Sequence, residues 1–245
     1  MKKLAKALIA IMLMTVAVFA MGCKPENDPN NNGGNDDDMN GHEYVDLGLP
    51  SGTLWATCNV GATTPVGYGD YFAWGETQPK TTFNWSTYQY CNGSYDQLTK
   101  YCNNSKYGYN GFTDNLIVLQ PDDDAATANW GSDWCLPTTD QWQELFQITN
   151  HTWTTQNGVN GRLFTASNGN SLFLPAAGDR WDDELDSAGS YGFYWSNSLH
   201  TNSPFHAWYF SFYSDDYYMR NRCRGYGRSV RPVRSSLQNS STKSS

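Results

Sequence analysis

Short stretches of alternating apolar and polar residues run through the chain between residues 43 and 234, separated by glycine and asparagine. Alternation with a period of two is typical of half-buried β-strands, and Asn-Gly pairs between such stretches predict hairpin turns. We expect such turns at 156–161 and 167–170. The predicted strands are 43–48, 52–61, 69–75, 162–166, 171–175, 191–198, 205–213 and 227–233.

One stretch has helical periodicity instead. Thr138 and Gln141 form a T-x-x-Q capping box, which predicts a helix over 139–149. One face of this helix would carry three apolar residues at i, i+3 and i+4 spacing: Trp142, Leu145 and Phe146. A shorter helix is expected near 125–130. The pattern therefore predicts an α+β domain of mostly short antiparallel strands with one or two helices.

The strand predicted at 205–213 has two unlike faces, because successive side chains point to opposite sides. The even-numbered positions are the more apolar, so we expect them in the core: His206, Trp208, Phe210 and Phe212. The odd-numbered positions would form an outer face: Phe205, Ala207, Tyr209, Ser211 and Tyr213. The next segment, 214–227, is too polar for a core and too aromatic for an ordinary loop. We expect it to extend the outer face.

The first residues have the pattern of an export signal. Three lysines precede an apolar run over 7–21, which is short for a bilayer span. The run ends in Ala-Met-Gly-Cys, which resembles the lipidation site of bacterial lipoproteins. This resemblance implies a signal peptide over 1–22 and a lipid on Cys23, which would be the only attachment to a membrane. Plain secretion with a spare thiol at Cys23 is the alternative.

The segments beside the expected domain are poor in apolar residues. Residues 23–41 and 235–245 cannot bury enough surface to offset chain entropy, so we expect a disordered acidic tether and a disordered tail. One domain, 42–234, remains. The acidic residues soon after Cys23 resemble the surface-export signals of such lipoproteins. We therefore expect an outer-membrane lipoprotein exposed at the cell surface.

The net negative charge of the chain argues against one class of partner. The chain has a formal net charge of −8, and removal of the leader lysines would make it more acidic. Nucleic-acid binding requires a basic footprint, so nucleic acid is not an expected partner.

The cysteines of the expected domain are odd in number, which is unusual for an exported protein. Cys91 and Cys102 flank a short loop and are the favoured disulfide pair. Cys58 with Cys135 is a weaker candidate, which leaves Cys223 alone. No CxxC pair and no His/Cys cluster has the spacing of a zinc site, so we expect no structural metal.

Six ordered blocks carry a resemblance to a known family. They lie at 44–62, 71–76, 123–142, 168–178, 189–198 and 227–233, and they include Gly-Thr-Leu-Trp-Ala-Thr, Tyr-Trp-Ser and Ser-Val-Arg-Pro-Val. Together they resemble the Fibrobacter succinogenes major paralogous domain over nearly all of 43–234. This resemblance implies a C-type-lectin-like fold related to the formylglycine-generating-enzyme group. It also implies a structural, hydrogen-bonding role for Arg231, and Cys135 stands where the family usually has arginine.

The segment 197–226 also resembles the substituted region in the variable proteins of diversity-generating retroelements. Those proteins display a lectin-like fold on a bacterial or phage surface. Their substituted positions lie between a Tyr-Trp-Ser-like strand and a Ser-Val-Arg-Pro-Val-like strand, which is where this segment lies. The resemblance implies a diversified recognition surface.

Segment 197–226 is therefore the expected binding surface. Tyrosine supplies rigid contact area, asparagine and serine adapt around it, and arginine adds stacking and forked donors. The candidate ligand contacts are Asn197, His200, Asn202, Tyr209, Tyr213, Tyr217, Tyr218, Arg220, Asn221, Arg222 and Tyr226. We expect an extracellular glycan or protein as the ligand. The competing interpretation is an aromatic-rich sheet surface without a ligand, whose tyrosine rings are simply packed.

Two other functions are alternatives. A structural cell-surface or fimbrial component would use the same face to dock a neighbouring subunit. An oxidase of the formylglycine-generating type would need a close pair of copper-binding cysteines near the C-terminal end, and Cys223 stands alone there. We therefore expect no enzyme and no catalytic residues.

The triplet Gln-Pro-Asp at 120–122 is identical to a sugar-selecting triplet of calcium-dependent lectins. It precedes the short expected helix, and no Trp-Asn-Asp triplet follows it. We therefore expect Asp122–Asp124 to cap that helix, and we expect no cofactor. Ca²⁺ held by these carboxylates is the alternative.

Overall fold

The computed structural model describes residues 41–235. The expected signal peptide, the lipidated Cys23, the tether up to residue 40 and the tail from 236 lie outside these residues. The strands are β1 (Tyr44–Asp46), β2 (Thr53–Ala56), β3 (Asn150–Gln156), β4 (Val159–Thr165), β5 (Ser171–Pro175), β6 (Asp179–Trp181), β7 (Glu184–Asp186), β8 (Gly192–Leu199), β9 (His206–Phe212), β10 (Tyr217–Cys223) and β11 (Val233–Ser235). The α-helices are α1 (Ala125–Trp130) and α2 (Thr139–Ile148), and 3₁₀ turns lie at Tyr109–Gly111 and Pro121–Asp123.

The strands pair into small antiparallel sheets. The sheet orders are β1-β2-β11, β3-β4-β5, β10-β9-β8 and the hairpin β6-β7. Every pairing between these strands is antiparallel. The prediction of mostly short antiparallel strands with few helices is therefore confirmed.

Helix α2 begins where the sequence predicts it. The Thr138 hydroxyl accepts a hydrogen bond from the Gln141 backbone N–H at 3.1 Å, and the Gln141 side chain accepts one from the Thr138 N–H at 2.9 Å. Each interaction satisfies an N–H that a helix start leaves without an intrahelical partner. Trp142 and Leu145 are fully buried, and the Trp142 ring stacks on Phe210 of β9 at 5.0 Å. The amphipathic face thus anchors α2 to one face of the β8–β10 sheet.

Helix α1 is capped by the predicted acidic run. The Asp124 carboxylate accepts hydrogen bonds from the N–H groups of Ala126 at 2.9 Å and Thr127 at 3.1 Å, and from Leu136 N–H at 2.8 Å. Burial raises the pKa of Asp124 to about 6, against the effect of these donors. The neighbouring Asp123 is buried and forms an ion pair with Lys100 at 2.5 Å. Capping is the observed role of Asp124.

Three of the predicted strands are wrong in extent. The strand predicted at 52–61 covers only Thr53–Ala56. Segment 69–75 forms no strand, and its Phe72 makes only a single bridge, to Arg228. Positive φ angles of 71° at Gly69 and 85° at Gly75 turn the backbone out of an extended path at both ends. Most of 227–233 likewise makes isolated bridges, and strand β11 begins only at Val233.

Two hydrophobic clusters lie on opposite sides of β8. The first includes Trp55, Trp142, Phe164, Tyr194 and Phe210. The second includes Trp74, Trp134, Trp195, Leu199 and Tyr209. Tyr194 and Trp195 are adjacent, so they point to opposite faces and enter different clusters. Strand β8 is therefore covered on both faces.

Arg231 has the structural role that the resemblance implied. It is fully buried, and its Nε donates to the Asn59 side-chain oxygen at 2.9 Å. Its Nη1 donates to the backbone oxygens of Ala56 at 2.9 Å and Thr57 at 2.5 Å. Burial lowers the pKa of Arg231 to about 10, still far above neutrality. The charged side chain ties the C-terminal segment to the end of β2.

The disulfide predicted between Cys91 and Cys102 is wrong, because both residues are free thiols. Within the loop between them, the backbone of Cys91 pairs with that of Leu98 and not with that of Cys102. The Thr99 N–H also donates to Tyr90 O at 3.0 Å. This register leaves the Cys91 Sγ 3.1 Å from Trp85 O and the Cys102 Sγ 3.2 Å from Asn104 O. Cys135 is also a free thiol, so the weaker pairing of Cys58 with Cys135 does not form either.

Between residues 41 and 235, no helix has the length and apolar character needed to cross a membrane.

Candidate functional site

The β8–β9–β10 sheet presents one face that α2 does not cover, which we call the cleft face. In the antiparallel register, Tyr218 lies opposite Ser211, Arg220 opposite Tyr209 and Arg222 opposite Ala207. Directly opposed residues share a face of a sheet. The strand β10, which the sequence did not predict, therefore places its two exposed arginines beside the tyrosine of the central strand.

A cleft of about 460 Å³ opens on this face. The buried Tyr209 and Ser211 of β9 lie at its base, and Phe193 of β8 adjoins them. One side consists of Arg220, Arg222 and Tyr226, and the other consists of Asp186, Ser187 and Tyr191 with Tyr213 at one end. This volume lies in the range of about 300–1,000 Å³ that is usual for small-molecule sites.

A buried ion pair stands at the base of the cleft. The Arg228 Nη2 and Nε donate to Asp179 Oδ2 at 2.9 and 3.2 Å. The guanidinium carbon of Arg228 lies 3.5 Å from the Tyr209 ring centroid and 4.5 Å from that of Trp195. The pair neutralises both charges and fixes the Tyr209 ring from below, so it shapes the cleft without adding net charge to it.

The two exposed arginines of β10 are each held by a neighbouring ring. The Arg220 guanidinium lies 4.6 Å from the Tyr218 ring centroid, and the Arg222 Nη2 lies 2.8 Å from the Tyr226 hydroxyl. Tyr218 is in turn fixed by a hydrogen bond to the Asp216 carboxylate, which raises the pKa of Tyr218 to about 12. Neither arginine forms an ion pair with any residue between 41 and 235. Their remaining N–H donors are available to a ligand.

The turn between β9 and β10 is held from the opposite face. Arg162 of β4 is buried, and its Nη2 donates to the backbone oxygens of Tyr213 at 2.6 Å and Asp216 at 3.3 Å. Its Nη1 lies 2.9 Å from His151 Nδ1. Burial and then the Arg162 charge lower the pKa of His151, which favours the neutral imidazole at this contact. Arg162 thereby positions Tyr213 at the end of the cleft.

The predicted ligand contacts divide into three groups. Those that line the cleft are Tyr209, Tyr213, Arg220, Arg222 and Tyr226, and Tyr218 lies beside them on the same face. Those on the opposite, helix-covered face are Tyr217 and Asn221. Those in the last part of β8 and in the turn that follows it are Asn197, His200 and Asn202. Only the first group forms a common site.

The two residues on the helix-covered face have structural contacts instead. The Tyr217 ring packs on Phe146 at 5.0 Å and on His151 at 4.4 Å. The Asn221 side-chain oxygen lies 2.9 Å from His206 Nδ1. Because both residues pair with even-numbered positions of β9, the alternation of β10 takes them away from the cleft.

The residues of the last part of β8 and its turn stay outside the cleft for a different reason. Asn197 lies where the β8–β9 register shifts, and its backbone bonds to Leu119 N and Pro137 O, each at 2.9 Å. His200 is partly buried, with its ring 5.0 Å from that of Trp208. Asn202 is exposed in the turn that follows β8. None of the three lines the cleft.

The outer face of β9 is more buried than the alternation predicted. Ala207, Tyr209 and Ser211 have at most 6% of their surface exposed. They are covered by the hydrophobic cluster that contains Trp195 and by the arginine side chains that line the cleft. On the even-numbered side, Phe210 and Phe212 are fully buried as expected, whereas His206 and Trp208 are only partly buried. The assignment of sides is thus right for Phe210 and Phe212, but the outer face serves as the base of a cleft and is not open to solvent.

Sequence reasoning missed the second side of the cleft. Asp186, Ser187 and Tyr191 come from the β7–β8 connection, which no local pattern linked to segment 197–226. The spacing of Tyr191 and Phe193, two residues apart, was the available signal, because this spacing puts both rings on one face of a strand. Their rings are stacked at 5.6 Å, with an angle of 10°. The pairing of Asp179 with Arg228 had no signal in the sequence.

Residues of the described region show no metal centre: between 41 and 235, no three His, Cys, Asp or Glu side chains are grouped to hold an ion. The cleft itself contains guanidinium groups, tyrosine rings, two serine hydroxyls and the Asp186 carboxylate. These groups can bind a polar or anionic molecule by hydrogen bonds, charge and stacking.

Comparison with known proteins gives one partial match. A family described as "Domain of unknown function (DUF8237)" matches residues 141–233, which is less than half of the chain. No curated protein and no solved structure matches the chain. The matched segment runs from α2 to the start of β11 and contains all the cleft residues, so the cleft belongs to the part that resembles this family.

Proposed function

We propose that this chain is a surface-displayed lipoprotein whose folded domain binds an extracellular glycan or protein through the cleft face. The proposal includes a C-type-lectin-like fold of the Fibrobacter succinogenes major paralogous type, with 197–226 as a diversified segment. Its N-terminal part would be a cleaved signal and a lipid anchor at Cys23. The described domain would then stand outside the cell with the cleft available to partners.

The observation that carries the proposal is the presence of two exposed guanidinium groups without carboxylate partners beside one recessed, ring-lined space. Arg220 and Arg222 could each have reached solvent separately, but both are held by tyrosines at the same cleft. Tyrosine and arginine are the residues most used at binding hot spots.

A glycan and protein array tests the proposal with a matched pair of double variants. Tyr213→Ala/Arg222→Ala removes a ring and a charge from the cleft. Lys106→Ala/Tyr109→Ala removes the same kinds of group from an exposed loop remote in sequence, where Tyr109 is 40% exposed. We expect array signals that the first variant loses and the second keeps, with both variants retaining the wild-type circular dichroism spectrum.

Three results would contradict the proposal. Signals that survive in the cleft variant would place recognition elsewhere on the molecule. Self-association of the wild-type chain that rises with concentration, is lost in the cleft variant and occurs without any array signal would favour the structural, fimbrial alternative. Copper-dependent oxygen consumption by the purified chain would instead support the oxidase alternative.

A further inference from the structure

We infer that the cleft selects a sugar that bears a carboxylate, such as a hexuronic acid or a sialic acid. This inference rests on the proposed function and specifies the ligand class of the same site. It depends on three features of the cleft: its unbalanced positive charge, its exposed ring and its hydroxyl groups.

The charge of the cleft is positive although the chain is acidic. Asp179 is neutralised by Arg228 through two hydrogen bonds of 2.9 and 3.2 Å. The charged groups left over in the lining are Arg220 and Arg222 on one side and Asp186 on the other. The Asp216 carboxylate does not line the cleft, but it bonds to the Tyr218 hydroxyl and offsets part of the Arg220 charge. None of the three lining groups takes part in an ion pair within residues 41–235. An anionic group would therefore be drawn to the β10 side of the cleft and away from Asp186.

The two arginines can both face a carboxylate in the cleft. They lie two residues apart on β10 and so project on the same side of the sheet. Each guanidinium is already held by a tyrosine, which lowers the entropy cost of ordering it on binding. Guanidinium forks match a carboxylate with two parallel hydrogen bonds, and this pairing is stronger than bonds between neutral groups.

The opposite side of the cleft offers a flat ring to the body of a sugar. Tyr191 is 38% exposed, and its ring is kept in place by Phe193 at 5.6 Å and Tyr213 at 5.3 Å. An aromatic face of this kind can pack against the C–H face of a pyranose ring. The hydroxyls of Ser187 and Ser211 and the Asp186 carboxylate supply donors and acceptors for sugar hydroxyls.

The shape favours a small polyol over an acidic protein surface. Stable protein–protein interfaces bury about 800 Å² on each partner and are broad. The lining groups enclose a recess with a volume of about 460 Å³, and Tyr209 and Ser211 are almost fully buried at its base. A single sugar residue with its carboxylate toward Arg220 and Arg222 fits such a recess.

Isothermal titration calorimetry of the full chain at low salt tests this inference. The probes are methyl β-glucuronide, N-acetylneuraminic acid, methyl β-glucoside as the neutral match of the first, and a short glutamate peptide. We expect one of the two acidic sugars to bind at least about tenfold more tightly than the glucoside. Its carboxylate can form charge-assisted hydrogen bonds with the arginines, and the neutral glucoside has no such group. Which acidic sugar binds distinguishes the two sources of the carboxylate. Added salt should weaken this binding.

Matched variants locate the binding. Arg220→Gln/Arg222→Gln should abolish the preference for the acidic sugar, and Tyr191→Ala should weaken binding of the sugar itself. Lys106→Gln and Tyr109→Ala make the same changes on a loop outside the cleft and should leave binding unchanged.

The inference is overturned if neither acidic sugar binds more tightly than the glucoside, or if the arginine variant keeps the preference for the acidic sugar. Binding of the glutamate peptide alone, dependent on Arg220 and Arg222, would overturn the sugar class while leaving the proposed function in place. If none of the cleft variants changed the array signals, the proposed function itself would be wrong.

Discussion

The two faces of the β8–β9–β10 sheet are built from the same strands but have opposite uses. On the helix-covered face, Phe210 stacks on Trp142 at 5.0 Å and on Phe146 at 5.6 Å. On the cleft face, the side chains of β10 are arginines and a tyrosine, and they stand beside a recess. Adjacent residues such as Tyr217 and Tyr218 therefore have unlike roles although they are chemically identical.

The difference shows that composition does not identify a binding residue. Segment 214–227 looked uniformly suited to recognition, yet alternation divides it between a packed face and an open one. Arginine and tyrosine occur on both sides, since Arg162 is buried under the turn while Arg220 is exposed. The covering elements, and not the residue types, decide which side chains can meet a ligand.

The largest effect on stability should follow from truncating a buried ring on the helix-covered face. Phe210→Ala removes a fully buried ring from between Trp142 and Phe164. Such a truncation should lower the free energy of unfolding by about 3–5 kcal/mol, because lost burial and a residual cavity both cost stability. Urea denaturation followed by tryptophan fluorescence measures the change.

Arg220→Ala, on the other face of the same sheet, is the control for this truncation. Its effect on the free energy of unfolding should stay within about 0.5 kcal/mol, as is usual for exposed positions. Equal losses in the two variants would mean that the cleft face is as tightly packed as the helix-covered one.

The adjacent tyrosines give the sharpest comparison. Tyr217→Ala should lower the free energy of unfolding by about 2 kcal/mol, since its half-buried ring packs on Phe146 and His151. Tyr218→Ala should leave Tm close to that of the wild type but reduce ligand binding, because Tyr218 orients Arg220. Thermal unfolding and the array assay together check both. A reversal of the two outcomes would show that the faces are wrongly assigned.

The smallest effect on stability should be its dependence on pH, which arises from His151 beside the turn between β9 and β10. The pKa of His151 lies below its ordinary value of 6.5, mainly because of burial and then because of Arg162. The unfolded chain then binds more protons than the folded one, so stability is complete above about pH 6.5 and falls as pH drops below it. Burial lowers the pKa of His206 as well, which adds to the same trend.

His151→Gln removes one titrating group while leaving a side chain that can accept from Arg162. We expect the fall in Tm between about pH 7 and pH 5 to be smaller in this variant than in the wild type. Circular dichroism melts at several pH values measure the difference. Parallel curves for the two proteins would show that His151 does not titrate in this range.

Local signals predicted part of this fold correctly. The capping box at Thr138 and Gln141 and the Asn-Gly turns between β3, β4 and β5 act over a few residues, so their meaning does not depend on the rest of the chain. Strand β10 was missed because its core-facing residues are Tyr217, Met219 and Asn221, which give only a weak apolar alternation. The predicted disulfide between Cys91 and Cys102 is wrong because the backbone of Cys91 pairs with that of Leu98, which sets the register of the loop between the two cysteines.

The sequence by itself determined the helix positions, the antiparallel strand class and the inward direction of Phe210 and Phe212. It also determined that arginine and tyrosine would be concentrated near the C-terminal end. Only the tertiary structure decided which of these side chains meet, since the cleft joins β10 to Asp186 and Tyr191 and is built on a buried pair, Asp179 and Arg228, far apart in sequence. The physical reason is that burial is a property of the neighbours a face acquires, and those neighbours come from distant segments.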